Sequence, residues 1–187
     1  GRRLPRALLV LGVLSAGAFL CEDALQSWSA LQLERGLAAS PAVSGLGPGL
    51  FAGAMAVGRL TGGALGHRVR EGALVAVAGS ALAVGALVLA AAPTAPVALG
   101  GLVLAGLGTS VLAPVLFSAV GRRAAPGRQG ADLAAVTAVG YAGFVTGPPL
   151  VGAISAATSL PTALGLLSVI GVLLAVATPV AVRERAD

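Results

Sequence analysis

Six times along this chain, a run of about twenty or more mainly apolar residues is closed by a short break rich in Pro, Gly or Arg. This repetition constrains the fold more than any other feature. A hydrocarbon core about 30 Å thick is crossed by roughly 20 helical residues, and within it each segment must satisfy its own backbone N–H and C=O groups. The runs, approximately 7–33, 41–65, 72–92, 96–120, 132–156 and 161–182, therefore predict six transmembrane helices in an all-α membrane protein. The breaks "ERGLAAS", "GHRVRE", "APTA", "GRRAAPGRQG" and "TSL" are short, so consecutive helices should be antiparallel neighbours. Charged residues make up 10% of the 187 residues, against about a quarter in a soluble domain. Aromatics make up only 3%, and the abundant Ala, Leu, Val and Gly suit helices packed closely in lipid. The chain starts at Gly1 without a cleavable signal pattern, and it is expected to be part of a longer protein.

All twelve basic residues are arginines, and they fall unevenly. Arg2, Arg3 and Arg6 precede the first span, Arg59, Arg68 and Arg70 surround the second break, Arg122, Arg123 and Arg128 fill the fourth, and Arg183 and Arg185 close the chain. Only Arg35 belongs to the opposite side. The positive-inside rule then places those segments and both termini in the cytoplasm, in agreement with an even number of spans. A net charge of +5 in this arrangement reflects topology, and nucleic acid is not expected as a partner.

A shift of 90 residues lays the first three spans on the last three and superimposes Phe51–Gly53 on Tyr141–Gly143. An odd number of spans per repeat makes the two repeats enter the membrane from opposite sides, giving two inverted three-helix repeats. In the second span Ala54, Gly58, Gly62 and Gly66 recur every four residues, which permits close helix packing or sliding. Pro114 interrupts the fourth span, and Pro148 and Pro149 the fifth, as packing kinks or as a cavity lining. Asp132 is expected to cap the fifth helix.

Glu22 and Asp23 stand inside the first span, where a charge costs several kcal/mol unless it faces the bundle interior or water. Ser15, Phe19, Glu22, Gln26 and Ser29 share one helical stripe, flanked by Asp23 and Ser27, and form a candidate cavity wall. At 1.5 Å per residue Glu22 should lie about 24 Å beyond Arg6, in the outer half of the membrane. The alternative is an early end to the first span, with both acids in a wet vestibule and Trp28 as an interfacial anchor. Tyr141 and Thr146, just before the double proline, could offer hydroxyls to a substrate.

With Cys21 the only cysteine and His67 the only histidine, neither a disulfide framework nor a Cys/His metal cluster is available, and no metal or cofactor is expected. No span offers the Ser and His, or paired Asp, of an intramembrane hydrolase, so no enzyme is expected. "TAVGYAG" is similar to a potassium-filter sequence but lies inside a full-length span, which argues against a channel.

The stretch "GRLTGGALGHRVRE" resembles the Gly-x-Leu-x-Asp-Arg-x-Gly-Arg loop signature of the major facilitator superfamily, with Gly63, Leu65 and Arg68 matching. His67 stands in place of the signature acid and Arg70 in place of its second glycine. "SWSALQL", "SPAVSGLGPGLFAGAMAVGRL", "APVLFSAVGR" and "AAVTAVGYAGFVTGPPLVG" are similar to the last six spans of bacterial facilitators of a sugar-permease-like or drug-efflux-like branch. The resemblance implies that residues 1–187 form the C-terminal half of a 12-helix fold. It implies an N-terminal six-helix partner, and a small solute bound between the halves and moved by alternating access, with ion or proton coupling. The expected location is the bacterial inner membrane. A membrane scaffold module and a dimerising stand-alone half are the alternatives.

Overall fold

The computed structural model describes residues 5–65 and 69–183. Among these residues are six long helices and no strand: α1 (Arg6–Leu31), α2 (Pro41–Leu65), α3 (Glu71–Ala91), α4 (Ala95–Arg123), α5 (Gln129–Ala157) and α6 (Leu160–Val182). Each is long and apolar enough to cross a membrane.

The first span departs from the expected end. A π-helical turn, Gln32–Gly36, continues α1, so that the helix runs unbroken for 31 residues from Arg6 to Gly36. The wider turn brings the consecutive side chains of Gln32 and Leu33 both into the interior, at 2% and 0% exposure. The chain then reverses through Ala38, whose φ of 50° ends the helical path. At the start of α5 the helix begins at Gln129, so Asp132 does not cap it. Asp132 is instead a buried first-turn residue, 3.5 Å from Arg128. Ser159 caps α6 by accepting a hydrogen bond from the Thr162 N–H at 3.3 Å.

α1 and α4 form the middle of the bundle. α3 lies against α4 and α6, α5 lies chiefly against α1, and α2 chiefly against α4. Exchanging the first three helices for the last three turns the α1–α5 pair into the α4–α2 pair and leaves α3–α6 unchanged. That is the relation expected of two repeats related by a two-fold axis. The crossing points agree as well: Gly143 of α5 abuts the Ala16 carbonyl, Gly106 of α4 abuts the Phe51 carbonyl, and Ala16 and Gly106 correspond under the 90-residue shift.

Lipid is as apolar as leucine, so contact between these helices comes from close packing and dispersion. Leu82, Leu89, Leu102, Leu112, Leu164 and Leu174 are fully buried. Between them small residues let backbones touch. A Cβ at Gly85 would lie 2.5 Å from the Gly101 carbonyl oxygen, so α3 and α4 could not meet there with any larger residue. Where arginines cluster, Arg122 of α4 clamps Glu71 of α3 through two bonds of 3.1 and 2.6 Å. Arg123 donates to the Arg183 carbonyl at 2.8 Å, joining α4 to the end of α6.

Candidate functional site

Glu22 lies near the midpoint of the extended Arg6–Gly36 helix. It lies about 24 Å along the axis from Arg6 and about 21 Å from Gly36, because the π turn lengthens the helix beyond the expected end. Glu22 Oε1 is 3.6 Å from Arg59 Nη2 on α2, with the Glu22 side chain 13% exposed and that of Arg59 49%. Arg59 was expected with the charged second break, but it stands inside α2 and faces the acid. Its guanidinium also lies 3.6 Å from Met55 Sδ, one turn back. Two opposite charges facing each other across two membrane-spanning helices lower the cost of holding either one away from water.

One turn before Glu22, Phe19 organises an aromatic cluster. Its ring stacks on Tyr141 with centroids 5.7 Å apart and planes 15° apart. It lies 6.0 Å from Phe117 of α4 and meets Phe144 of α5 edge-on at 6.5 Å. Tyr141 and Phe144 complete the group at 6.2 Å. Such pairs are worth about 0.5–1.5 kcal/mol each beyond area burial. The sequence makes room for Phe19 with Gly140, where a Cβ would lie 3.0 Å from the ring. Four of the six aromatics in the chain thus gather beside an ion pair. These residues come from α1, α2, α4 and α5, and line a furrow to which α3 and α6 contribute none of them. Tyr141 is 55% exposed and Phe144 37%, so the furrow is open in this chain.

The predicted stripe is only partly in the furrow. Gln26 follows Glu22 by one turn and is half-buried. Asp23 is half-buried, and no ion pair joins it to another described residue. Ser15 is fully buried and bonds the Leu11 carbonyl at 2.8 Å. Ser29 is also fully buried, facing Gly47 of α2, and its hydroxyl has no hydrogen-bond partner among the described residues. Thr146 is exposed and donates to the Ala142 carbonyl at 2.7 Å.

α5 continues through Pro148 and Pro149, and Trp28 donates from Nε1 to the Pro148 carbonyl at 3.1 Å. Trp28 therefore tethers α1 to α5. Pro114 is exposed on α4, one turn before Phe117 and on the same face. Gly58 and Gly62 pack α2 onto Ser110 and Val111 of α4. Gly63 and Leu65 belong to the last turn of α2, whereas Arg68, with His67, lies outside the described residues.

Sequence reasoning missed Arg59, Phe117, Phe144 and Met55. The available signal was Arg59 itself: its number falls inside the predicted 41–65 span, opposite in sign to the acids of the first. Among the described residues no group of His, Cys, Asp and Glu could hold a metal ion.

Residues 6–187 match the profile of the Major Facilitator Superfamily. The membrane protein MosC of Rhizobium meliloti is 32% identical over 178 residues, covering 95% of this chain and 44% of MosC. An uncharacterised MFS-type transporter of Yersinia pestis is 30% identical over 89% of the chain and 43% of its own length. The chain thus spans less than half the length of these curated relatives. A crystal structure of the peptide transporter POT in complex with alafosfalin superposes with a TM-score of 0.78 at 22% identity, over 93% of this chain and 38% of that one, and so shares the fold. The six membrane-crossing helices, their repeat-related packing and the profile match together establish that this chain is an integral membrane protein belonging to the Major Facilitator Superfamily.

Proposed function

We propose that this chain is the C-terminal half of a secondary active transporter, and that the furrow is its wall of a substrate cavity shared with an N-terminal six-helix half. The observation that carries the reading is the Glu22–Arg59 pair beside Phe19, Tyr141 and Phe144 on an uncovered face. Charges within membrane-spanning helices require shielding from lipid, and a second half laid over the furrow provides it. The coverage of less than half of each relative supports that missing half. The arginine distribution supports cytoplasmic termini in a bacterial inner membrane.

The furrow presents one acid, one guanidinium, a phenol and flat aromatic faces. This set suits a small amphiphilic solute that lays an apolar part on Tyr141 and Phe144 and presents a polar group to the pair. Protonation of Glu22 removes the countercharge of Arg59, so proton uptake changes the charge of the cavity by one and can be tied to substrate exchange. Asp23, Gln26 and Thr146 border this path as secondary polar contacts.

The test uses the full-length protein in proteoliposomes with a panel of small amphiphilic solutes. Glu22→Gln should abolish proton-driven accumulation while leaving exchange down a gradient intact, because the amide mimics only the protonated acid. Accumulation equal to that of the parent across the pH range would remove Glu22 from coupling. The 187-residue chain alone should insert without transporting. Transport by the chain alone, with cross-linking to a second copy, would favour a dimerising half instead. Failure of the full-length protein to move any solute would favour a scaffold.

A further inference from the structure

Away from the furrow, the ends of α1, α4 and α6 enclose a cleft of about 880 Å³. Among the described residues Arg6, Arg122, Arg123 and Arg183 line it without an acid, and the rest of that lining is apolar. Among the described residues Arg6 and Arg183 make no side-chain ion pair. Arg123 spends one of its five N–H groups on the Arg183 carbonyl, which fixes the guanidinium at the cleft and leaves its other donors for a ligand. The Arg122 charge is shared with Glu71 on the far side.

The apolar part is ordered relative to the arginines. Arg6 and Val10 are one turn apart on α1, and Val13 extends the same side toward the membrane interior. Arg183 and Val180 are likewise one turn apart on α6, followed by Val176. These valines are open, with Val10 at 49% exposure and Val180 at 68%. Guanidiniums at the end of the helices thus continue directly into two apolar tracks running down the membrane-spanning surface. A phospholipid would use both features, whereas a free anion would use only the first.

We propose that this cleft binds the phosphate headgroup of an anionic phospholipid, whose acyl chains follow the Val10–Val13 and Val176–Val180 tracks. The bound lipid would bridge the start of α1 to the end of α6. Free phosphate shares the headgroup chemistry, and the experiment separates the two.

Full-length protein purified in mild detergent is examined by native mass spectrometry with phosphatidylglycerol, with phosphatidylcholine of the same acyl chains, and with inorganic phosphate as competitor. Phosphatidylglycerol should be retained preferentially and should survive added phosphate. Arg123→Gln with Arg183→Gln should weaken retention by about fivefold per arginine, about 25-fold together. Arg35→Gln at the opposite end should have no effect. If the double variant does not fold, Val180→Glu decides the matter, since it keeps every arginine and repels the lipid from its track. Equal retention of the two lipids, undiminished retention by either variant, or displacement of lipid by inorganic phosphate would overturn the proposal.

Discussion

Removing Arg59 should cost more than removing Glu22, although the two belong to one ion pair. At a separation of 3.6 Å the attraction between unit charges is about 4–5 kcal/mol at an effective dielectric near 20. Burial of Glu22 to 13% exposure takes back much of this as lost hydration, and the half-open position of Arg59 screens the rest. A net coupling of about 1–2 kcal/mol remains. In Arg59→Gln the acid stays in place with no countercharge, whereas in Glu22→Gln the guanidinium can turn toward water. The double variant should recover part of the Arg59→Gln loss, because two amides leave no unpaired charge. The assay is reversible unfolding in detergent of the parent, both single variants and the double variant, read as a thermodynamic cycle. Lowering the pH provides an independent check: protonation of Glu22 removes the stranded charge, so the Arg59→Gln penalty should shrink as pH falls. If the single losses simply add, to within about 0.3 kcal/mol, the two charges do not interact and the furrow has lost its organising contact.

Two further outcomes follow from the packing and the charge layout. Gly147→Leu should destabilise by about 1–3 kcal/mol or more, because even a Cβ there would lie 2.7 Å from the Leu20 carbonyl oxygen, whereas Gly53→Ala points into open space and should be neutral in thermal unfolding. In a protein lacking Cys21, single cysteines at 124–128 should be shielded from an impermeant thiol reagent in intact cells and cysteines at 37–39 should react; the reverse pattern would invert the orientation.

The helices were legible in the sequence because the period and length of an apolar run translate directly into a membrane span. The second span has the expected ends, and the others differ by one to three residues. The end of α1 was misread because Glu34 and Arg35 look like loop residues, and a charge pair says nothing of a π turn that buries Gln32 and Leu33 beside it. The same habit of assigning every arginine to a break hid Arg59. Glu22 and Tyr141 could be picked out one at a time, since an acid or a phenol in an apolar run is conspicuous. Their neighbours could not: Phe117 and Phe144 read as ordinary membrane residues until the α1–α4 and α1–α5 crossings bring them to Phe19. Ser29 shows the limit from the other side. It shares the helical stripe of Glu22, yet the approach of Gly47 buries it, because a stripe on one helix does not reveal where its neighbour crosses.

The claim that the furrow is a cavity wall opened alternately to the two sides can be tested without knowing the substrate. In the full-length protein lacking Cys21, a single cysteine replacing Tyr141 is exposed to an impermeant thiol reagent in intact cells and, separately, in inside-out vesicles, with Val77→Cys on the outer surface of α3 as the reference. The account predicts that position 141 is labelled from both sides, with the two rates shifting in opposite directions when a proton gradient is imposed, while position 77 reacts from neither. Labelling of position 141 from one side only, unchanged by the gradient, would contradict it.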